Sequence, residues 1–215
     1  AWAHYRTEAN RLAAQRREAA AALSRQVTAA MHELALAGGQ LDIQLQPVSE
    51  PRVHGMEDVG FLVSSHTGLP PGPLARVASG GELSRISLAI QTALSGVAGV
   101  PTLIFDEVDV GIGGGVAEIV GAQLRTLAGS RQVLCITHLA QVAAQGHRHL
   151  QVTKETAANT TVTHIGPLSA KERVQEIARM LGGEHISATT LAHARELLQV
   201  PERARAAAPR TKVRA

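Results

Sequence analysis

The chain is poor in aromatic residues and in cysteine. Its 215 residues include two phenylalanines, one tyrosine, one tryptophan and one cysteine, Cys135. A single thiol cannot form an intramolecular disulfide, which fits a reducing compartment. With 45% hydrophobic residues the chain can bury a substantial core, and that core must be aliphatic. Cys135 lies in an apolar run, where we expect a small core residue rather than a reactive thiol.

Long apolar runs are also absent. No stretch approaches the ~20 apolar residues needed to cross a bilayer, and the first residues do not resemble a signal peptide. We therefore expect a cytoplasmic protein with no membrane partner. The formal net charge is +3 and the pI is about 9.6, which permits contact with nucleic acid without requiring it.

Two carboxylates follow an apolar run in the middle of the chain. Residues 102–105 read Thr-Leu-Ile-Phe and precede Asp106 and Glu107. A short apolar run predicts a buried parallel strand, and ligands bind beyond the carboxyl ends of such strands. Because adjacent strand residues point to opposite sides, Asp106 could hold a hydrated Mg²⁺ while Glu107 polarises the water that attacks a γ-phosphate. This is the pattern of a Walker B strand, and the alternative is a strand that merely ends in two solvated acids.

A glycine-rich helix start precedes that strand. It comprises Ser79, Gly80, Gly81 and Glu82, called the signature loop below. The two glycines let backbone N–H groups approach an anion, and Ser79 with Glu82 matches the S-x-x-E pattern of a capping box. The free N–H groups and the helix dipole at such a start suit a phosphate. Taken alone, the segment would be a capped helix after a glycine turn.

A second apolar run, residues 132–136, ends in Thr137 and His138. The order of a glycine-rich helix start, an acidic strand and a strand ending in histidine resembles the C-terminal half of an ABC-type ATPase head, an α/β fold. Residues 77–85, 105–112 and 135–143 narrow this resemblance to the RecN family of bacterial DNA repair proteins, in the SMC-like group, over roughly residues 1–200. The stretch Glu-Val-Asp-Val-Gly-Ile at 107–112 best distinguishes the RecN family from transporter ATPases, because transporter ATPases usually have a different sequence there. Gly113 stands where related heads often carry the D-loop aspartate.

The resemblance implies a role for each matching residue. Glu107 and His138 would be catalytic, and Asp106 would bind Mg²⁺ through water. The signature loop would contact the ATP of an opposite head, and Asp109 and Gly111 would belong to the D-loop. The implied cofactors are ATP and Mg²⁺. The implied partners are a second head, in a homodimer, and double-stranded DNA ends at the nucleoid.

The sequence lacks the motif G-x-x-x-x-G-K-[ST], the phosphate-binding Walker A loop. The three lysines are Lys154, Lys171 and Lys212, and none follows the required glycine. In SMC-like proteins this loop lies in an N-terminal half, called the Walker A half below, which a long antiparallel coiled coil separates from the C-terminal half. The resemblance therefore implies that the chain hydrolyses ATP only together with the Walker A half.

The start of the chain predicts a long helix over residues 1–37. Apolar residues recur at three- and four-residue steps, at positions 2, 5, 9, 12, 23, 27, 31 and 34. The helix would have about ten turns and end at Gly38-Gly39. We interpret it as the descending end of the coiled coil, and the alternative is an amphipathic helix packed on its own domain.

Residues 38–200 are predicted to form the C-terminal half of the head. We expect strands at 41–46 and 59–65, a rigid loop at 70–73, a hairpin of 150–153 with 160–165, and helices at 113–127, 139–145, 170–181 and 188–198. Residues 201–215 form a tail rich in alanine, proline and arginine, for which we predict disorder. The tail would be solvated or would contact phosphates.

Two classes of function follow from these patterns. The first is half of an ATPase whose head dimerisation serves DNA double-strand break repair. The second is a binding module that pairs with a partner without turnover. A transporter nucleotide-binding fragment is a third possibility, which the Asp109-Val110-Gly111 sequence and the leading helix disfavour. Dependence on a Walker A half separates the first two, and a membrane-domain partner would indicate the third.

Overall fold

The computed structural model describes residues 1–68, 70–74, 79–97, 99–157, 160–183 and 185–207. The helices in these residues are α1 (Trp2–Glu33), α2 (Gly80–Ala93), α3 (Gly114–Leu127), α4 (Ala140–Gln145), α5 (Ala170–Gly182) and α6 (Ala188–Ala207). The strands are β1 (Gln40–Arg52), β2 (Gly55–Ser64), β3 (Gly72–Pro73), β4 (Thr102–Phe105), β5 (Gln132–Cys135), β6 (Leu150–Ala157) and β7 (Thr160–Pro167). None of these helices is both long enough and apolar enough to cross a membrane.

Helix α1 packs along the domain and contributes Val27 and Met31 to the main core. It ends at Glu33, so the predicted end at residue 37 was four residues too late. The chain leaves the helix early because Leu34 and Leu36 both turn into the core and are fully buried. Among the described residues it packs mainly against α2, β1 and β2. A role in a coiled coil stays a prediction.

Strands β1 and β2 form an antiparallel hairpin, to which the short β3 adds a third strand. Both strands are longer than predicted, and β1 runs on to Arg52. The pairing is regular through Pro47 and then shifts before Arg52. Prolines at 47 and 51 have no N–H to donate, which explains this irregularity. The predicted rigid loop at 70–73 includes β3, which pairs with Leu62 and Val63.

The turn of this hairpin is fastened to the first half of α1. The Tyr5 hydroxyl donates to the Arg52 carbonyl at 2.9 Å and accepts the Arg52 N–H at 3.1 Å. Arg16 donates to the carbonyl of His54 at 2.9 Å, and Arg17 pairs with Glu57 at 3.3 Å. These contacts join residues about 40 positions apart and hold the hairpin along the helix.

Strands β4 and β5 are parallel and place Phe105 opposite Cys135. The prediction of a parallel strand was right, but the prediction that it is buried holds for one face only. Phe105 is buried in the main core, whereas Ile104 is 70% exposed. The sheet has two strands among the described residues. Helices of this chain cover one side of the sheet, and the other side is open.

The last part of the chain forms a hairpin and two helices. Strands β6 and β7 confirm the predicted hairpin, whose turn at 158–159 lies outside the described residues. Helix α5 begins with a capping box between Ser169 and Glu172 and ends at Gly182, one residue beyond the predicted end, with Gly183 as its C-cap. Helix α6 continues to Ala207 because residues 202–207 are glutamate, arginine and alanine, all strong helix formers. The prediction of disorder was therefore wrong for 201–207, and residues 208–215 lie outside the described part.

Candidate functional site

The carboxyl ends of β4 and β5 lie side by side, because the two strands are parallel and in register. Residues 106–110 leave one strand at this edge, and Thr137 and His138 follow the other. Asp109 joins the two segments. Its Oδ2 atom accepts hydrogen bonds from the Thr137 hydroxyl at 2.5 Å and from the His138 N–H at 3.0 Å. The structure therefore brings together the predicted acidic segment and His138, which the resemblance predicts to be catalytic.

The Asp109 carboxylate is almost fully buried, with 2% of the residue exposed. The same Oδ2 atom lies 3.2 Å from Nδ1 of the His138 ring, while that ring is itself mostly exposed. Direct contact between Asp109 and nucleotide stays a prediction. The observed contacts instead make this carboxylate a support that fixes the backbone and ring of His138, with the ring left accessible at the edge.

The signature loop begins α2, as predicted, but its capping box is only half formed. Ser79 is the N-cap, and its hydroxyl oxygen accepts the Glu82 N–H at 3.5 Å, a long bond. The Glu82 carboxylate does not return to the Ser79 backbone. It pairs with Nε2 of His66 at 3.3 Å, so the second half of the predicted capping box was wrong.

The two glycines of the signature loop let α2 approach the acidic segment of the same chain. A Cβ on Gly80 would displace the Glu107 carboxylate, which is the end of a flexible side chain. A Cβ on Gly81 would lie 3.2 Å from both the Glu107 carbonyl oxygen and the Val110 Cβ. We predicted glycines here for contact with an anion. The structure shows a second reason, which is close packing of the helix start against residues 107 and 110.

The geometry of Asp106 and Glu107 differs from the expected strand. Strand β4 ends at Phe105, and Glu107 has a φ of 58°, in the left-handed region that non-glycine residues rarely adopt. Strand alternation therefore does not separate the two side chains, contrary to the prediction. A sharp turn separates them instead, and the Asp106 Oδ1 stabilises it by accepting the Glu107 N–H at 2.9 Å. Such a left-handed residue is typical of functional sites.

Two further residues of α2 hold this turn, and our sequence reasoning missed both. The Ser84 hydroxyl donates to the Asp106 carbonyl at 2.6 Å, and Arg85 Nη1 donates to the Val110 carbonyl at 2.8 Å. Arg85 is 7% exposed, and burial lowers the pKa of its guanidinium. A signal was present in the sequence, because Arg85 lies one helical turn before Ala89 on the buried face of α2. A charged residue at such a position needs a specific partner.

A magnesium ion at Asp106 fits the chemistry of the edge. The Asp106 side chain is exposed, and one exposed carboxylate is a usual protein ligand for Mg²⁺, which keeps several waters and binds phosphate oxygens. Among the described residues there is no cluster of three or more histidine, cysteine or acidic side chains that could hold a metal. Most ligands of such an ion would therefore come from water and from a nucleotide.

Comparison with known proteins identifies the family. No family model matches the chain. The DNA repair protein RecN of Xylella fastidiosa is 52% identical over 197 residues, which are 91% of this chain and 35% of that protein. RecN of Treponema pallidum is 44% identical over 200 residues, covering 90% of this chain and 35% of that protein. Over this shared region, the chain belongs to the RecN family. It spans about a third of the length of these RecN relatives.

Solved structures show the same fold. The Smc head domain with a coiled coil and joint from Pyrococcus yayanosii has a TM-score of 0.52 at 17% identity and covers 73% of this chain and 28% of that one. The Smc head domain of Pyrococcus furiosus, bound to the C-terminal domain of ScpA, has a TM-score of 0.50 at 18% identity and covers 74% and 38%. The RecN-family region thus has the α/β fold of part of an SMC head, and the predicted fold class is confirmed.

Proposed function

We propose that this chain is the C-terminal lobe of an SMC-like ATPase that acts in DNA double-strand break repair and recombination, in the cytoplasm at the nucleoid. The observation that supports this most is the shared edge of β4 and β5, where Asp109 joins the acidic turn to His138. Membership of the RecN family supports the biological role. ATP and Mg²⁺ are the proposed cofactors, and double-stranded DNA, at its ends, is the proposed substrate.

Each residue at the edge has a proposed part in hydrolysis. Glu107 orients the attacking water and accepts its proton, and His138 donates a hydrogen bond to the γ-phosphate from the same head. Asp106 holds Mg²⁺ through water, and the bound ion neutralises charge on the phosphates. Asp109 keeps His138 in place, and Gly111 lies two residues after Asp109 in the proposed D-loop. The left-handed turn at Glu107 supports this assignment, since such strain is typical of functional sites.

The Walker A half is the proposed partner for the uncovered side of the β4–β5 sheet. Three large apolar side chains form this side, which we call the open face: Ile104 at 70% exposure, Leu134 at 41% and Ile136 at 63%. An isolated two-stranded sheet is marginally stable, and a cluster of exposed apolar residues indicates an interaction surface. A strand or helix of the Walker A half would cover it, while α1 would continue into the coiled coil that joins the halves.

A second head is the proposed partner of the signature loop. Ser79, Gly80, Gly81 and Glu82 form a helix start whose N–H groups suit a phosphate. In the proposed homodimer these residues contact the ATP held by the opposite head.

Two substitutions at the edge separate the proposed roles in an ATPase assembled from this chain and the Walker A half. Glu107→Gln should abolish turnover but leave ATP binding and ATP-driven head pairing intact, because the amide keeps its size and cannot act as a base. Asp106→Asn should weaken binding of Mg²⁺ and nucleotide, because it removes a charge near the metal. Phosphate release, calorimetry and size-exclusion chromatography measure these three properties. Equal binding defects in both variants would contradict the division of roles.

A binding module without turnover is the second candidate, favoured by the absence of a Walker A lysine. The variants Ser79→Arg and Ser79→Asp test contact between the signature loop and the nucleotide of the opposite head, which both candidates share. Arginine should block ATP-driven pairing by filling the space for the γ-phosphate, whereas aspartate, another good N-cap, should keep α2 folded. Equal pairing by the two variants would contradict contact with the opposite nucleotide. Turnover by the assembled ATPase would exclude the second candidate.

A further inference from the structure

Two adjacent residues of α2 hold both ends of residues 106–110, which we call the clamped segment. Ser84 donates to the first carbonyl of the segment, at Asp106, and Arg85 donates to the last, at Val110. The distances are 2.6 and 2.8 Å, so both bonds are well formed. Gly81 packs against the segment between these two anchors. Helix α2 therefore cannot shift along its axis without displacing the segment.

The clamped segment in turn holds the backbone of His138. Asp109, inside the segment, accepts hydrogen bonds from Thr137 and from the backbone of His138. Hydrogen bonds thus join α2 to the clamped segment, and further hydrogen bonds join the clamped segment to Thr137 and the backbone of His138. Glu107 lies within the clamped segment.

The burial of Arg85 is costly for stability alone. Its Nε atom is buried and has no hydrogen-bond partner among the described residues. An unsatisfied buried donor destabilises the folded state, and an apolar side chain of similar volume would avoid that cost. The desolvation that lowers the pKa of Arg85 indicates the same penalty. An arginine at this position is better explained by the bond it makes to the Val110 carbonyl.

We propose that Ser84 and Arg85 are positioning residues that join the signature loop to Glu107 and His138 as one rigid unit. This inference rests on the proposed function. A nucleotide that the signature loop contacts on the opposite head would then set the geometry of the hydrolytic residues in this head. The two nucleotide sites of the dimer would be coupled, because each helix α2 takes part in one site and positions residues of the other.

The test uses the assembled ATPase, with this chain and the Walker A half, and measures turnover against ATP concentration. Arg85→Met should lower kcat about 100-fold, since small misplacements of catalytic groups have effects of that size, and should leave KM within about twofold. Ser84→Ala, a milder variant, should act in the same direction. Arg85→Lys should recover part of the loss, because its ammonium can also donate to the Val110 carbonyl. The control is Ser87→Ala, at an exposed position of the same helix, which should behave like wild type.

Two readouts distinguish positioning from a general structural role. In a Glu107→Gln background, ATP-driven pairing of Arg85→Met heads should persist, because the signature loop is unchanged. The Hill coefficient for ATP should exceed unity in wild type and fall to unity in Arg85→Met, as expected when the coupling is lost. Pairing and turnover that fall in equal proportion would overturn the proposal, as would an unchanged kcat in both Ser84→Ala and Arg85→Met.

Hydrogen exchange, measured on this chain, tests the rigid unit independently of the proposed function. If the clamped segment is fixed by α2, the His138 amide should exchange about tenfold faster in Arg85→Met than in wild type, while amides of α5 stay unchanged. A wild-type assembly without turnover would refute the proposed function. Hydrogen exchange at His138 would still show whether α2, the clamped segment and His138 form one rigid unit. Equal exchange at His138 in both proteins would overturn the inference.

Discussion

The carboxylate of Asp109 lies inside the chain and accepts two hydrogen bonds from the segment that carries His138. At the residue scale, the exposed side chains of the edge thus depend on a side chain that is itself almost fully buried. Nearby, Ser84 and Arg85 hold the backbone on either side of it. The exposed residues Asp106, Glu107 and His138 are therefore positioned by buried neighbours, as a preorganised site requires.

Replacement of Asp109 by asparagine tests this support. The amide keeps the size of the side chain but removes the charge and buries an NH₂ group that needs an acceptor. Hydrogen bonds to charged groups contribute about 1.5–3 kcal/mol, so Asp109→Asn should lower the free energy of unfolding by that amount. Urea denaturation of the chain measures it. The control is Asp58→Asn, at a half-exposed ion pair with Arg52, which should change stability by less than about 1 kcal/mol. Equal losses would contradict the role given to Asp109.

At the element scale, local signals in the sequence predicted most of the elements, and the long-range contacts were not predictable. Helix α5 matched to within a residue because a capping box and a glycine mark its ends. The length of β1 was underestimated, because its polar second half is extended through pairing with β2. The order of the motifs predicted which residues meet at the edge. The helical period of α2 signalled that Arg85 is buried. The carbonyls that Ser84 and Arg85 contact could not be predicted, because each lies more than 20 residues away.

The contact between α1 and the β1–β2 hairpin gives a prediction at this scale. Tyr5→Phe removes the hydroxyl that bonds both backbone groups of Arg52, 47 residues away. It should lower the free energy of unfolding by about 1 kcal/mol and speed hydrogen exchange at the Arg52 amide. Thr7→Ala is the control, because its hydroxyl bonds only to Ala3 within α1. If both variants changed exchange at Arg52 equally, the hairpin would not be fastened to α1 through Tyr5.

At the scale of the whole molecule, the described residues leave an apolar surface without cover. The main core packs against one side of β4 and β5, and the open face lies on the other. The RecN relatives are about three times as long as this chain. We expect the Walker A half to bury this face when the two lobes assemble.

Ile104→Ser tests that assembly surface. Full burial of an isoleucine contributes about 1.5–3 kcal/mol, which corresponds to a roughly 10- to 100-fold loss of affinity for the Walker A half. Stability of the isolated chain should hardly change, because Ile104 is already 70% exposed. Calorimetry of the two lobes and urea denaturation of the chain measure the two effects. Val53→Ser, at the fully exposed hairpin turn, is the control. A normal affinity in Ile104→Ser would place the Walker A half elsewhere.

ATP hydrolysis should be measured for this chain alone, for the Walker A half alone and for an equimolar mixture of the two. We predict turnover only in the mixture, and its loss when the chain carries Glu107→Gln, because in the proposed ATPase the Walker A loop and the acidic turn lie on different lobes. The chain alone should also show negligible ATP binding in calorimetry. Hydrolysis by the chain alone, or a mixture no more active than the sum of its parts, would contradict the prediction.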